Sequence, residues 1–469
     1  MQKLNTISGE LNIMLMELKK IIIKLFRCFK ASAEQGNAKD QNNPGDCYYY
    51  GKGVKKDYKE AFRQYKAAAE QGDADAQYKL GNCYYYGKGL KQNYKEAFRW
   101  YKAAAEQGYA KAQNNLGNCY YYGEGVRQDY NEAFRWFKAA AELGLPEAQY
   151  RLGNCYYYGN GVRQDYNEAF HWYKAAAEQG YANAQYILGN CYKNGEGVKQ
   201  DYNEAFSWYK SAAEQGDAKA QINLGVCYSE GQGVKQDSNE AFRWFKAAAE
   251  QGYAKAQINL GVCYSEGQGV KQDYKEAFRW YKAAAEQGDA EAQYFLGGCY
   301  YFGAGVKRDY NEAFRWFKAA AEQRLPEAQY RIGRCYFDGK GVKKDYNEAS
   351  RWFKAAAEQC DIDAQLHLGL CYYIGEGVKK DYNEAFRWFK AAAEQGYADA
   401  QYYLGLCYEN GEGVKQNYKE AYYWYLIAYI NGYTGVEQNI YLIENILTYQ
   451  QKQEVQKRVN EWFRTHSKK

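Results

Sequence analysis

Residues 80–89 read LGNCYYYGKG, a cysteine and a tyrosine triplet running into a Gly-x-Gly turn. Alone, such a stretch could hold a metal, run a redox cycle or cradle a phosphate. Its recurrence decides otherwise. Cys47, Cys83, Cys119, Cys155, Cys191, Cys227, Cys263, Cys299, Cys335, Cys371 and Cys407 follow one another at steps of 36 residues, with only Cys28 and Cys360 outside the ladder. A fixed period of roughly 20–50 residues marks a repeat architecture. The block AKAQINLGVCYSEGQGVKQD even occurs twice unchanged, at 218–237 and 254–273.

Each unit contains two helical patterns. In DADAQYKLGNCYYYG (73–87), Ala76, Leu80, Cys83 and Tyr84 lie at i, i+4, i+7 and i+8, one face of a helix. In NYKEAFRWYKAAAEQG (93–108), Tyr94, Ala97, Phe98, Tyr101, Ala104 and Ala105 form a second apolar face, with Lys95, Arg99, Lys102 and Glu106 turned to solvent. Asp or Asn opens every second helix, from Asp57 and Asn93 to Asn417, and Glu follows three residues later, from Glu60 to Glu420. That spacing predicts a capping box, in which the first side chain accepts a backbone N–H and the Glu reaches back to the cap. Gly108 suits the left-handed position past a helix end, and Pro146 and Pro326 fall where a first helix begins. A glycine follows the Leu position in every unit (Gly45, Gly81, Gly117 through Gly405), which lets the paired helices approach closely.

Two short antiparallel helices cannot bury their apolar faces alone, but stacked copies bury a continuous core. The expectation is an all-α protein, an α-solenoid superhelix of stacked antiparallel helix pairs in 36-residue repeats. With helix axes roughly 8–10 Å apart, eleven units would extend about 100 Å before curvature. The predicted division is 1–39, an N-terminal helix and degenerate partial repeat; 40–433, eleven repeats; and 434–469, a C-terminal helical cap. In that last segment LTYQQKQEVQKRVNEWF (447–463) reads as one amphipathic helix with a Thr448/Gln451 capping box.

Composition narrows the chemistry. Apolar residues make up 46% of the chain, enough for a core, and 62 basic against 57 acidic residues leave a net charge of +5. Nothing in that balance forms the basic footprint of a nucleic-acid binder. No apolar run approaches the roughly 18–20 residues of a membrane-spanning helix. At the N-terminus, LNIMLM and IIIKLF are apolar and Ala31-Ser32-Ala33 has the form of a cleavage site. However, Glu10, Glu17, Lys19, Lys20 and Lys24 interrupt the segment, and FKASAEQG (29–36) matches the later YKAAAEQG, so a worn repeat is expected rather than a secretory signal.

Candidate catalytic groups dissolve into architecture. Gly87-x-Gly89 follows a helix, not a strand, and lacks the third glycine of a dinucleotide fingerprint and the Gly-Lys-Ser/Thr of a P-loop. It reads as a helix-ending glycine and a tight turn. The ladder cysteines lie on a buried stripe as small apolar residues. Successive ones, one repeat apart, exceed the roughly 7 Å Cα separation a disulfide allows. Zinc would need clustered Cys and His at short spacing, which is absent. The Asp/Glu pairs are caps. His171, His367 and His466 form no constellation. No catalytic residue, metal or cofactor is expected.

The unit A-x-A-Q-x-x-L-G-x-x-Y-x-x-G-x-G-V-x-x-D-x-x-E-A-x-x-W resembles the Sel1-like repeat, a relative of the tetratricopeptide repeat. Leu80, Gly81, Tyr84, Gly87, Gly89, Ala97 and Trp100 carry the match in the second unit. The first unit departs from it, with Pro44 for the Leu and Gln64 for the Trp. Secreted cysteine-rich members of this family carry two cysteines per repeat and bridge the helix pair. One per repeat cannot, and reduced thiols point to the cytoplasm.

The resemblance implies an interaction scaffold or adaptor, in signalling, protein quality control or host–microbe contact, whose first helices line a concave face. The stripe expected there varies between units: Tyr78, Asn82 and Tyr85; Tyr150, Asn154 and Tyr157; Tyr186; Tyr294 and Tyr301; Tyr330, Arg334 and Phe337; Tyr402. Tyrosine with Asn and Arg suits protein or peptide recognition, although some of these tyrosines are expected to pack between repeats. The sixth and seventh units instead repeat Ile222, Val226, Ser229, Glu230 and Ile258, Val262, Ser265, Glu266, a smoother segment that reads as a second sub-site or a duplication. The expected partners are proteins or peptides, with no nucleic acid and no membrane span, and the chain is expected to be a monomer. Two alternatives remain at this level: a secreted effector with the same binding mode, whose mature N-terminus would lie near Glu34, and a hydrolase of the β-lactamase-like kind linked to some family members.

Overall fold

The computed structural model describes residues 2–33 and 38–466, so Glu34–Gly36 of the worn motif lie outside the described residues. Among them are 25 α-helices and no strand. Helix Gln2–Ala33 comes first, eleven helix pairs follow, and Glu437–Glu444 and Tyr449–His466 come last. The chain divides into two compact units, 1–236 and 237–469, with the boundary between the two helices of the sixth repeat. Within each unit, every repeat helix packs against the next one in sequence.

The second repeat shows why. Its first helix, Ala74–Tyr86, buries Ala76, Leu80 and Cys83, and its second, Tyr94–Glu106, buries Ala97, Tyr101, Ala104 and Ala105. The two faces interlock at Gly81, where a Cβ would come within 2.6 Å of the Tyr101 ring, so the ring lies directly on the glycine. Burying such a ring is worth roughly 2–3 kcal/mol. Tyr94, expected on the apolar face, is instead exposed. It occupies the first helical position, where its ring meets only the edge of Tyr85 on the paired helix at 5.2 Å, and its hydroxyl accepts Gln92 Nε2–H at 3.0 Å.

The caps form by half. Asn93 Oδ1 accepts the Lys95 and Glu96 N–H groups, but the predicted return bond from the Glu is replaced. The Asn93 N–H donates to the Tyr84 carbonyl of the paired helix at 2.9 Å, and the same bond recurs from Asp57 to Tyr48 and from Asn417 to Tyr408. Stacking supplies a nearer acceptor, and the Glu turns to an Arg one turn on, as in Glu132–Arg135 at 3.2 Å. Both halves of the box do form at the chain's end, where Thr448 N–H donates to Gln451 Oε1 and Gln451 N–H to Thr448 Oγ1.

Gly87 caps its helix at φ +67°, and Gly89 does more than turn. A Cβ there would overlap the Tyr58 carbonyl oxygen of the preceding repeat. Gly53 makes the same approach, 31 residues back, to the Ile22 carbonyl, and Phe26 meets Tyr48 edge-on at 5.4 Å as Phe62 meets Tyr84 at 5.5 Å. The later part of helix Gln2–Ala33 therefore sits in the register of a second helix. At the other end, Val455 and Val459 are buried against the eleventh repeat, and Arg458 binds Glu420 through both guanidinium nitrogens at 2.6 and 3.0 Å.

Candidate interaction face

Side chains of the first helices are tied into three ladders. Gln77 donates Nε2–H to the Ala69 carbonyl at 3.2 Å and accepts Gln107 Nε2–H at 2.8 Å, stitching three helix ends together. The pattern repeats at Gln149, Gln185, Gln257 and Gln329. Where Leu143 replaces the donor, Gln113 Oε1 is left buried and unpartnered. The second ladder runs from the ring on the glycine. The hydroxyls of Tyr101, Tyr173 and Tyr209 donate to Asn82, Asn154 and Asn190 at 2.7–2.8 Å. In the third, Tyr85 and Tyr157 donate to Glu124 and Glu196 of the next repeat's turn, and Tyr301 accepts Lys340 Nζ–H. Burial and the facing carboxylate raise the Tyr85 and Tyr157 pKa values, so these phenols stay protonated as donors.

All thirteen residues expected on the face are half-buried. Tyr78 packs on Tyr101 and Tyr109, Tyr150 on Tyr173 and Tyr181, and Tyr186 on Tyr209. Asn82, Tyr85, Asn154, Tyr157 and Tyr301 belong to the ladders above. Tyr330 and Phe337 lie against Phe353, and Tyr402 stacks on Tyr433 at 4.5 Å. Arg334 bridges Asp338 at 3.2 Å and His367 Nε2 at 3.0 Å. The structure thus gives each a neighbour within or between repeats while leaving part of each side chain open.

A more exposed aromatic row lies one residue beyond the predicted stripe. Tyr86, Tyr122, Tyr158 and Phe302 are 53–65% exposed. The signal was present in the last aromatic of each triplet, immediately before the helix-capping glycine, where the helix ends and the ring meets the preceding aromatic edge-on at 4.9–5.0 Å while much of it stays open.

Two pockets open among the first helices, one in each unit. The pocket in the first unit, about 230 Å³, is polar and is lined by Tyr85, Asn115, Asn118, Tyr122, Glu147 and Arg151. Phe137 replaces the ladder tyrosine there, so Asn118 Oδ1 has no donor, and Arg151 Nε is also buried without a partner. The larger pocket, about 490 Å³ in the second unit, is mostly apolar. It joins the predicted Tyr294 to Val262, Ser265 and Glu266 of the smoother segment, with Tyr281, Phe295, Gly298, Phe302, Phe317 and Arg331 completing its walls.

Eleven cysteines are buried. Burial pushes the thiols of Cys83, Cys119 and Cys155 up to about 12, so they stay protonated. Among the described residues no three His, Cys, Asp or Glu side chains come together as metal ligands. No described helix is long and apolar enough to cross a membrane.

Eleven consecutive segments, from 39–73 and 74–109 through 398–433, match the family described as Sel1 repeat. Two crystal structures resemble the chain closely. One is c5321, a protective antigen present in uropathogenic Escherichia coli strains displaying an SLR fold. It is 36% identical with a TM-score of 0.84, over 94% of this chain and 95% of that one. The other is a Sel1 repeat protein from Oxalobacter formigenes, 35% identical with a TM-score of 0.53, over 66% of this chain and 89% of that one. No curated protein sequence matches. With eleven matched segments between residues 39 and 433, this chain belongs to the Sel1 repeat family.

Proposed function

We propose that the chain is a non-catalytic interaction scaffold, which binds a partner polypeptide on the face built by its first helices. The observation that carries this reading is the interruption of the repeats' own ladders at the two pockets, most plainly the unpartnered Asn118 Oδ1 and Arg151 Nε. A buried polar atom without a partner costs about 1–3 kcal/mol, and a ligand that supplies the missing donor and acceptor recovers it. The thirteen half-buried residues Tyr78, Asn82, Tyr85, Tyr150, Asn154, Tyr157, Tyr186, Tyr294, Tyr301, Tyr330, Arg334, Phe337 and Tyr402 then serve as the walls of the face. The exposed Tyr86, Tyr122 and Tyr158 supply its contact surface. Protonated, unbridged thiols suit a reducing compartment such as the cytoplasm, and a monomer suffices for this mode of binding.

The test is affinity capture from native extract with two baits: the wild type, and a variant with Tyr86, Tyr122 and Tyr158 changed to Ser. These three are exposed, so the fold should survive, as circular dichroism would verify. Proteins held by the wild type and lost from the variant support the face. Identical sets of captured proteins from both baits would move binding elsewhere on the chain.

A further inference from the structure

Three positions that carry larger side chains in most other repeats are small around the 490 Å³ pocket, and all three line it. Ser265 stands where the third ladder has Tyr85, Tyr157 and Tyr301. Ala304 stands where that ladder has its partners Glu124, Glu196 and Lys340. Gly298 stands where the second ladder has Asn82, Asn154 and Asn190.

Gly298 is the telling residue. It lies inside helix Ala290–Phe302, where glycine weakens a helix relative to alanine. Helical glycines such as Gly81, Gly117 and Gly297 lie beneath aromatic rings, whereas a Cβ on Gly298 would meet nothing within 4 Å. Neither backbone conformation nor close packing calls for glycine there, and its missing side chain leaves the pocket open. Duplication does not account for it. The repeated block supplies Val262 and Ser265, but Gly298 and Ala304 lie outside it, and the corresponding positions one unit earlier are Val262 and Gln268.

The walls define the occupant. Phe295 stacks on Tyr281 at 5.0 Å, Tyr294 meets Phe295 at 5.7 Å, and Phe317 lies 5.8 Å from Tyr294, a surface matched by an aromatic ring. At the rim Arg331 is half-buried. In other repeats its position reaches the preceding first helix, as Lys79 reaches Asp46 and Asn115 reaches Asn82. Gly298 removes that partner, and no carboxylate among the described residues lies within ion-pair distance of Arg331. Glu266, on another wall, already accepts Gln268 Nε2–H at 2.6 Å.

Building on the scaffold reading above, we infer that this pocket receives an aromatic side chain from an extended segment of the partner polypeptide, with an adjacent Asp or Glu of that segment pairing with Arg331.

The experiment selects a phage-displayed random dodecapeptide library on the immobilised full chain. Enriched peptides, fluorescein-labelled, are then titrated by fluorescence polarisation against wild type, Gly298→Leu and Arg331→Gln. Leucine already stands at the equivalent Leu370 and Leu406, so it fits the helix while filling the pocket. Arg331→Gln keeps the test decisive should Gly298→Leu misfold. The expected result is a consensus of Trp, Phe or Tyr beside Asp or Glu, with affinity falling at least about tenfold in either variant, and with Arg331→Gln also flattening the salt dependence. Enriched peptides that lack an aromatic residue, or that bind both variants as tightly as wild type, would overturn the pocket assignment while leaving the scaffold reading intact. Failure to enrich any peptide would overturn it as well, and the scaffold reading would then rest on the capture experiment alone.

Discussion

Tyr101 and Phe137 occupy the same place in neighbouring repeats and differ by one hydroxyl. Asn82 receives that hydroxyl; Asn118, in the matching position, receives nothing. The same correspondence runs on through the chain. Tyr65 meets Asp46 and Tyr173 meets Asn154, whereas Phe317 and Phe389 come with Gly298 and Leu370, which need no donor. Tyr281, facing Val262, takes Ser265 instead at 3.3 Å. A net hydrogen bond to a buried polar group is worth about 1 kcal/mol. Phe137→Tyr should therefore stabilise the first unit by about that amount, and Tyr173→Phe should destabilise it by a similar amount. Urea unfolding of the two single variants checks both signs, and a Phe137→Tyr protein no more stable than wild type would remove the ladder from the account.

At the scale of elements, first helices of successive repeats are joined by a few polar contacts, and one of them carries a histidine. His367, on helix Ile362–Ile374, donates Nδ1–H to the Asp363 carbonyl at 2.8 Å and accepts from Arg334 of helix Pro326–Asp338 through Nε2 at 3.0 Å. Tyr330 and Phe353 close over the ring. Burial holds its pKa below the ordinary histidine value, outweighing the hydrogen bond to the Asp363 carbonyl that raises it, and the Arg334 charge pulls the same way as burial. The folded protein thus keeps the ring neutral in a range where the unfolded chain protonates it. Stability from this group is complete above the unfolded value of about 6.5 and is lost as pH falls from there through the lowered folded value. The urea midpoint of the wild type should drop between about pH 7.5 and pH 5.5 by more than that of His367→Asn, an exchange that matches Asn115 and Asn223 in other repeats. Equal drops would show that His367 does not carry the effect.

For the whole molecule, stability is a sum over neighbours. Each repeat pairs its helices internally and packs mainly against the adjacent repeats within its unit, and the chain divides into two compact units. Such arrays unfold region by region rather than in one cooperative step. Tryptophan stands in ten of the eleven repeats, from Trp100 to Trp424. Replacing all but one by Phe, in either unit, would report that unit alone. Transition midpoints that differ between the two reporters are expected; coincident midpoints that also match circular dichroism would argue for a single cooperative fold.

The amino-acid sequence by itself determined the period, the helix boundaries, the buried alanine, leucine and cysteine positions, and the glycine beneath each ring. The period follows from recurrence along the chain, and the rest from spacings within one turn or two of helix or from one residue's backbone preference. It also held the correct residues for the caps, but not the acceptor of the cap N–H, which belongs to the paired helix. The tertiary structure alone decided where the half-buried stripe goes, because its partners stand far along the chain: Tyr85 reaches Glu124, Gln107 reaches Gln77, and Asn82 is held by Tyr101. The pocket around Gly298 is the same kind of fact. Ser265, Gly298 and Ala304 are unremarkable small residues in one dimension, and only the stacking of successive repeats brings the three absences to one place.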